Sequence, residues 1–232
     1  MAHRSGIRQE IIDRVMARRG RLHLFDRFDP ARTASVVIDM QGTFCDEGAP
    51  AEVPLSRQIV GPINRLNRAL RAAGGQVIWV NHANASSPAG SDWAGFFDNF
   101  VAEEVRARTI RSLAPGGEGQ QVWHGLEVAE EDIRLLKNRY SALIPGSSAL
   151  ERVLRSLGLD TLLISGTKTN VCCESTARDA MMMDFRVVMV SDATAALSDD
   201  EHRAALETII QQFGDVYTVD EIAARLDATD RG

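Results

Sequence analysis

Two apolar runs, Thr161-Leu-Leu-Ile-Ser165 and Arg186-Val-Val-Met-Val-Ser191, bracket the turn Gly166-Thr-Lys-Thr-Asn-Val-Cys172 and a segment of helical periodicity over 171–183. Runs of this length and apolarity suit strands buried on both faces, and a helix between them makes a βαβ unit. The same alternation continues on either side. Downstream, a helix is expected over 199–213, a short strand over 216–218 and a closing helix over 219–226. Upstream, a helix over 147–156 stops at Gly158 and a strand spans 133–137. A strand at 76–80 follows a helix over 55–73 that ends at Gly74-Gly75, and Ala34-Ser-Val-Val-Ile-Asp-Met40 forms the first strand. Strands and helices alternating at this spacing predict a parallel sheet with helices on both faces, a three-layer αβα, Rossmann-like fold. Two regions stand outside the pattern. Residues 5–19 place Ile7, Ile11, Ile12, Val15 and Met16 at helical spacing, so 1–27 reads as an amphipathic extension before one domain at 28–232. That helix packs either on the domain or on another subunit. Residues 82–125, with Pro88, Gly90, Gly95 and Pro115 around Trp93, Phe96, Phe97 and Phe100, read as a long loop with one short helix near 97–107, in the manner of a lid or binding loop.

Composition narrows the function. The chain has 232 residues, 26 Lys plus Arg against 32 Asp plus Glu, and a formal net charge of -6. A mildly acidic chain lacks the concentrated basic surface that nucleic acid requires, and no apolar run has the length of a membrane span. Three cysteines, two of them adjacent (Cys45, Cys172, Cys173), make neither a disulfide framework nor a zinc knuckle. The N-terminus carries no apolar stretch of the signal-peptide kind, so the reducing cytoplasm is the expected compartment. The Gly-x-Ser-x-Gly elbow, the phosphate-binding Gly-x-x-x-x-Gly-Lys-Ser/Thr loop and a Gly-x-Gly-x-x-Gly after the first strand are all missing from the sequence.

In parallel sheets ligands bind at the carboxyl ends of the strands. The residues there are Asp39, the pair Asn81-His82, Lys137, the turn leading to Cys172, and Asp192. Taken singly, Asp39 reads as a loop or cap residue, Lys137 as a solvated lysine and Cys172 as a buried, inert thiol. Together an acid, a lysine and a cysteine from three strand ends complete a nucleophilic site: Cys172 attacks a carbonyl carbon, Asp39 moves the proton, and Lys137 biases the carboxylate. A first-turn position would lower the thiol pKa through the helix dipole. Cys173 points about 100° away around the helix and reads as a core residue. His82 reads as a plain strand-end histidine rather than a metal ligand, and no metal or other cofactor is expected. A homodimer or homotetramer is expected, with apolar surface of the extension and of the aromatic loop hidden between subunits.

These residues resemble the isochorismatase-like cysteine hydrolases. The similar segments are Val36-Val-Ile-Asp-Met-Gln41, Lys137-Asn-Arg-Tyr-Ser141, Gly166-Thr-Lys-Thr-Asn-Val-Cys-Cys-Glu-Ser-Thr-Ala-Arg-Asp-Ala180, the strand and Asp-Ala ending at Ala193, and Phe213-Gly-Asp-Val216. The resemblance implies a six-stranded parallel sheet, Asp39, Lys137 and Cys172 as a catalytic triad, and a cis peptide joining Thr167 to Lys168. It also implies an oxyanion hole made by the main-chain N–H groups of Lys168 and Cys172. Nicotinamidases of the family carry Asp-x-His-x-x-His after the second strand; here that segment is Asn81-His-Ala-Asn-Ala, without the second histidine. Within the family the nearest resemblance is to ureidoacrylate amidohydrolases, which implies hydrolysis of a small linear amide or ureide through a covalent Cys172 intermediate. The alternatives are an amidase of biuret, an N-carbamoyl amino acid, maleamate or nicotinamide, or a non-catalytic binding protein that kept the fold. Asn81, Tyr140 and Asn170 are the expected substrate-binding side chains, since amides and a phenol can read a urea or amide group. His82 or an arginine from 106–111 is expected to meet a substrate carboxylate.

Overall fold

The computed structural model describes residues 3, 6–87 and 90–227. Residues 1, 2, 4 and 5 of the expected extension, Pro88 of the long loop and residues 228–232 at the end of the expected domain lie outside them. The elements follow in order: α1 (Gln9–Arg19), β1 (Thr33–Ile38), α2 (Gly42–Cys45), α3 (Val60–Ala72), β2 (Gln76–His82), β3 (Ser86–Ser87), β4 (Gly90–Ser91), α4 (Ala94–Phe100), α5 (Glu103–Ser112) and β5 (Ile133–Lys137). The second half holds α6 (Leu150–Ser156), β6 (Thr161–Thr167), α7 (Glu174–Met182), β7 (Arg186–Ala195), α8 (Asp199–Gln212), β8 (Asp215–Tyr217) and α9 (Val219–Asp227).

Six strands form one sheet in the order β5-β2-β1-β6-β7-β8, every pairing parallel, while β3 and β4 form a separate antiparallel pair. The apolar runs read from the sequence explain the layering. Successive side chains of a strand point to opposite faces, so Ala34, Val36 and Ile38 enter one core with Leu162, Ile164, Val187 and Met189. Val37 enters the other with Leu163, Val188 and Val190. On the second face α3 adds Ile63, Leu66 and Leu70, and α9 adds Ile222 and Leu226.

The helix of the extension packs part of its apolar stripe on its own chain. Ile11 and Val15 of α1 join the first core beside Leu206, Ile209 and Ile210 of α8. Arg8 grips Glu207 with a two-pronged bond, Nε to Oε1 at 2.9 Å and Nη2 to Oε2 at 2.7 Å. The helix begins at Gln9 rather than near residue 5. Met16 of the same stripe is left 42% exposed. Other differences from the sequence reading lie at breaks in periodicity. The expected helix near 97–107 is two helices, α4 and α5, because the chain is extended at Val101. The strand expected to stop at Ser191 runs on to Ala195 past an irregularity in its pairing with β6. Asp192 thus lies inside β7, where its carboxylate accepts the Val219 N–H at 2.8 Å and holds the start of α9. Among the described residues no helix is long and apolar enough to cross a membrane.

Candidate active site

Three strands deliver the predicted acid, lysine and cysteine to one point. At the end of β1 the ladder reaches one residue further, Asp39 N–H donating to Val80 O at 2.9 Å. There the chain turns with Asp39 at φ 54°, a left-handed conformation that Asp tolerates better than most residues. Gln41 fastens this turn to β2: its Nε2 donates to His82 O at 3.0 Å and its Oε1 accepts the His82 N–H at 2.7 Å. Lys137, last residue of β5, stands in register with His82, last residue of β2. On the other side β6 presses against β1 so closely that a Cβ at Gly166 (φ +107°) would lie 2.0 Å from Ile38 O; only glycine fits. The Thr167–Lys168 peptide is cis, and one π-helical turn, Thr169–Cys173, precedes α7. In that turn the Cys173 N–H reaches back five residues to Lys168 O at 3.2 Å. Thr169 Oγ1 is 3.0 Å from His202 Nδ1 of α8. Burial, with His3 as the next cause, lowers the His202 pKa to about 3 and keeps it neutral behind the turn.

Lys137 Nζ lies 2.8 Å from Asp39 Oδ2, 3.5 Å from Cys172 Sγ, 3.0 Å from Arg139 O and 3.1 Å from His82 Nδ1. Asp39 and Lys137 are each 1% exposed and Cys172 is 5% exposed. Burial alone would lower the Lys137 pKa, but the charge of Asp39, Cys172 and the bonds to both outweigh it, and the ammonium is held more firmly than usual. Burial raises the Asp39 carboxyl, and Lys137 pulls it only part of the way back. A raised carboxylate is the stronger base. The thiol departs from the sequence expectation. Burial first, then the negative charge of Asp39, push Cys172 up to about 12, against the opposing pull of Lys137. The anticipated lowering at a helix start is overturned because desolvation disfavours the thiolate far more than a partial dipole favours it. At neutral pH Cys172 is a thiol, with Asp39 and Lys137 beside it. Cys173 is fully buried in the first core, its Sγ 3.7 Å from Ser165 O.

His82 takes a larger part than the sequence suggested. Lys137 donates to its Nδ1, so Nε2 carries the proton and donates to Asn84 Oδ1 at 2.6 Å. Burial, then the Lys137 charge, hold the ring neutral, its pKa well below the usual value. Asn84 Nδ2 in turn donates to Asp92 Oδ1 at 2.8 Å and to Asn138 O at 3.2 Å. This chain of bonds joins the charged centre to the segment carrying Trp93 and Phe96. The available signal was position: His82 directly follows the apolar strand run.

The three expected substrate-binding side chains part company. Tyr140 reaches the site, 37% exposed and edge-on to Trp93 at 4.8 Å. Asn81 does not. The two-residue period of β2 turns it to the face opposite His82, where Nδ2 donates to Gln120 O at 2.8 Å beside a different cavity that it lines with Trp79 and Gln121. Asn170 sits in the π-helical turn, its Oδ1 buried, and is not part of the cavity wall. That cavity, about 150 Å³, opens onto Asp39, His82 and Cys172 and is walled by Trp93, Phe96 and Tyr140. Among the described residues no group of three or more His, Cys, Asp or Glu side chains is placed to hold a metal ion.

The family model described as the isochorismatase domain matches residues 33–221. A ureidoacrylate amidohydrolase of Pseudomonas savastanoi pv. phaseolicola is 32% identical over 210 residues, covering 84% of each chain. The crystal structure of a cysteine hydrolase from Pseudomonas syringae pv. phaseolicola superimposes with a TM-score of 0.79 at 31% identity, covering 90% of this chain and 98% of that one. An N-carbamoylsarcosine amidase from Thermoplasma acidophilum superimposes with a TM-score of 0.64 at 25% identity, covering 82% of this chain and 96% of that one.

Proposed function

The chain belongs to the isochorismatase family, and from that premise we propose that it hydrolyses the C–N bond of a small linear amide or ureide through a covalent intermediate on Cys172. The observation that carries this reading is the position of Lys137 Nζ, 2.8 Å from Asp39 and 3.5 Å from Cys172 Sγ. One buried cation there touches both the base and the nucleophile. In the first half-reaction Asp39 takes the Cys172 proton as sulfur bonds to the carbonyl carbon. The oxyanion is met by the main-chain N–H groups of Lys168 and Cys172. The tetrahedral adduct collapses, the C–N bond breaks, and the leaving nitrogen takes the proton from Asp39. In the second half Asp39 takes a proton from water as its oxygen bonds to the thioester or thiocarbamate carbon. The C–S bond then breaks, and sulfur recovers the proton. Lys137 stays protonated throughout and steadies whichever of Asp39 or Cys172 is negative. Tyr140 borders the substrate. The 28–232 domain carries the chemistry and the 1–27 extension braces it. The ureide side of the reading draws on the ureidoacrylate and N-carbamoylsarcosine relatives.

The test is removal of the nucleophile. Cys172→Ala should lower kcat by about 10⁴-fold or more, as loss of a covalent nucleophile does. Mass spectrometry of the unaltered protein quenched during turnover should show the acyl or carbamoyl adduct on the peptide containing Cys172. Turnover retained by Cys172→Ala, or an adduct on another residue, would refute the assignment.

A further inference from the structure

The lid side of the cavity and its polar floor offer a substrate very different chemistry. The lid wall is Phe44, Trp93, Phe96, Phe97, Val101 and Tyr140. Trp93 stacks on Phe96 with centroids 4.7 Å apart, and Phe96 meets Tyr140 edge-on at 5.8 Å. Beside this wall the side chains of Thr109, His82 and Asn84 are already bonded within the protein, and the Tyr140 hydroxyl and the Trp93 indole N–H are the uncharged polar groups it keeps. Thr109 Oγ1 donates to Val105 O at 3.0 Å. Both ring nitrogens of His82 are engaged by Lys137 and Asn84, and Asn84 Nδ2 is engaged by Asp92 and Asn138.

A substrate carboxylate entering such a wall would lose its water and need a cation in exchange. The candidates the sequence suggested do not bring one to this wall. His82 is held neutral. Arg106 pairs with Asp98 at 3.2 Å, Arg108 donates to Gly48 O at 3.0 Å and Arg111 is exposed, and none of the three lines the cavity. Arg139 lies over the Trp93 ring at 5.1 Å, tied to Asn138 O at 2.7 Å and Asp92 O at 3.0 Å. Among the described lining residues Lys168 is the one Lys or Arg, and it belongs to the nucleophile turn, not to the lid. The whole cavity, its Cys172 end included, is about 150 Å³, the volume of apolar cavities known to take one benzene molecule, which caps the apolar group at about that size.

We propose that the substrate places its reacting amide at Cys172 and an uncharged apolar group, about the size of a six-membered ring, against Trp93 and Phe96. It is an amide or ureide without a carboxylate at the lid end, in contrast to ureidoacrylate. This rests on the amidohydrolase reading above.

The experiment compares ammonia release by the full-length protein from benzamide and isovaleramide with that from succinamate and ureidoacrylate, alongside quenched-turnover mass spectrometry. The apolar amides should exceed the carboxylates by at least tenfold in kcat/KM. Trp93→Ala should raise the benzamide KM about tenfold with kcat within threefold, and Phe96→Ala should repeat the pattern if the tryptophan variant folds poorly. A tenfold preference for the carboxylates, abolished by Lys168→Gln, would overturn the inference and make Lys168 the carboxylate partner. The amidohydrolase reading would survive that result, because the Cys172 adduct would still form. Absence of both turnover and adduct with every compound would overturn the two together.

Discussion

Two regions face each other across the cavity, and they are held by different forces. On one side Asp39, Lys137 and Cys172 project from strand ends whose backbones are locked in ladders and whose side chains are almost wholly buried. On the other, α4 and the residue before it present Phe96 and Trp93, both partly exposed, on a segment joined to the sheet end through Asp92 and Asn84. The first region fixes atoms to within a hydrogen bond, which nucleophilic chemistry needs. The second offers area and shape, which can change without disturbing the sheet. On the proposed mechanism, reaction and selectivity are therefore separable in this molecule.

The largest effect should come from breaking the buried charge pair. Lys137→Met leaves Asp39 without its counter-ion, and kcat/KM should fall by more than a thousandfold. Stability should fall by about 3–5 kcal/mol, the usual cost of stranding one partner of a buried pair. Urea unfolding and steady-state assays check both, and a variant within tenfold of the unaltered activity would dissolve the distinction between the two regions. Next is the reactivity of the thiol. With Cys172 pushed up to about 12, its thiolate is the minor form at any ordinary pH, and the fraction grows as pH rises. Iodoacetamide labelling of the Cys172 peptide should therefore accelerate about tenfold per pH unit from 7 to 10 without a plateau. A plateau near neutrality would mean a thiolate already formed at rest. The smallest effect belongs to the lid. Asp92→Ala removes one anchor of Asn84, and KM should rise several-fold while kcat and the unfolding midpoint stay nearly constant. A matching fall in kcat would show that the lid reaches into the chemistry through His82.

The sheet was legible from the sequence because its central strands are apolar on both faces. The run at 133–137 coincides with β5 to the residue. The meeting of Asp39, Lys137 and Cys172 was legible for the same reason, since parallel strands gather their carboxyl ends. What escaped depended on tertiary facts. Asn81 and His82 read as a pair just past the strand end, both near the site, because the apolar run stops at Val80. Pairing of Ile78 through His82 with β5 extends the strand and assigns the two to opposite faces. The direction of the Cys172 pKa escaped because the helix-start position is visible in sequence, whereas burial is a property of the folded surroundings. The break between α4 and α5 at Val101 carries no Gly or Pro to announce it.

The position of Lys137 sets a further limit on the enzyme. It is carried by β5, the outermost strand on its side of the sheet, whose ladder partner is β2 alone. Its neighbour Leu136 is 47% exposed. Strands of this kind open in local fluctuations that leave the centre of a domain intact, and they exchange their amide hydrogens sooner than central strands do. The centre of this sheet, β1 and β6, carries Asp39 and leads into Cys172. The three groups of the proposed mechanism thus stand on foundations of unequal permanence. If Lys137 works as proposed, detachment of this one edge strand on warming is enough to idle the protein while the remaining sheet still holds acid and sulfur in place.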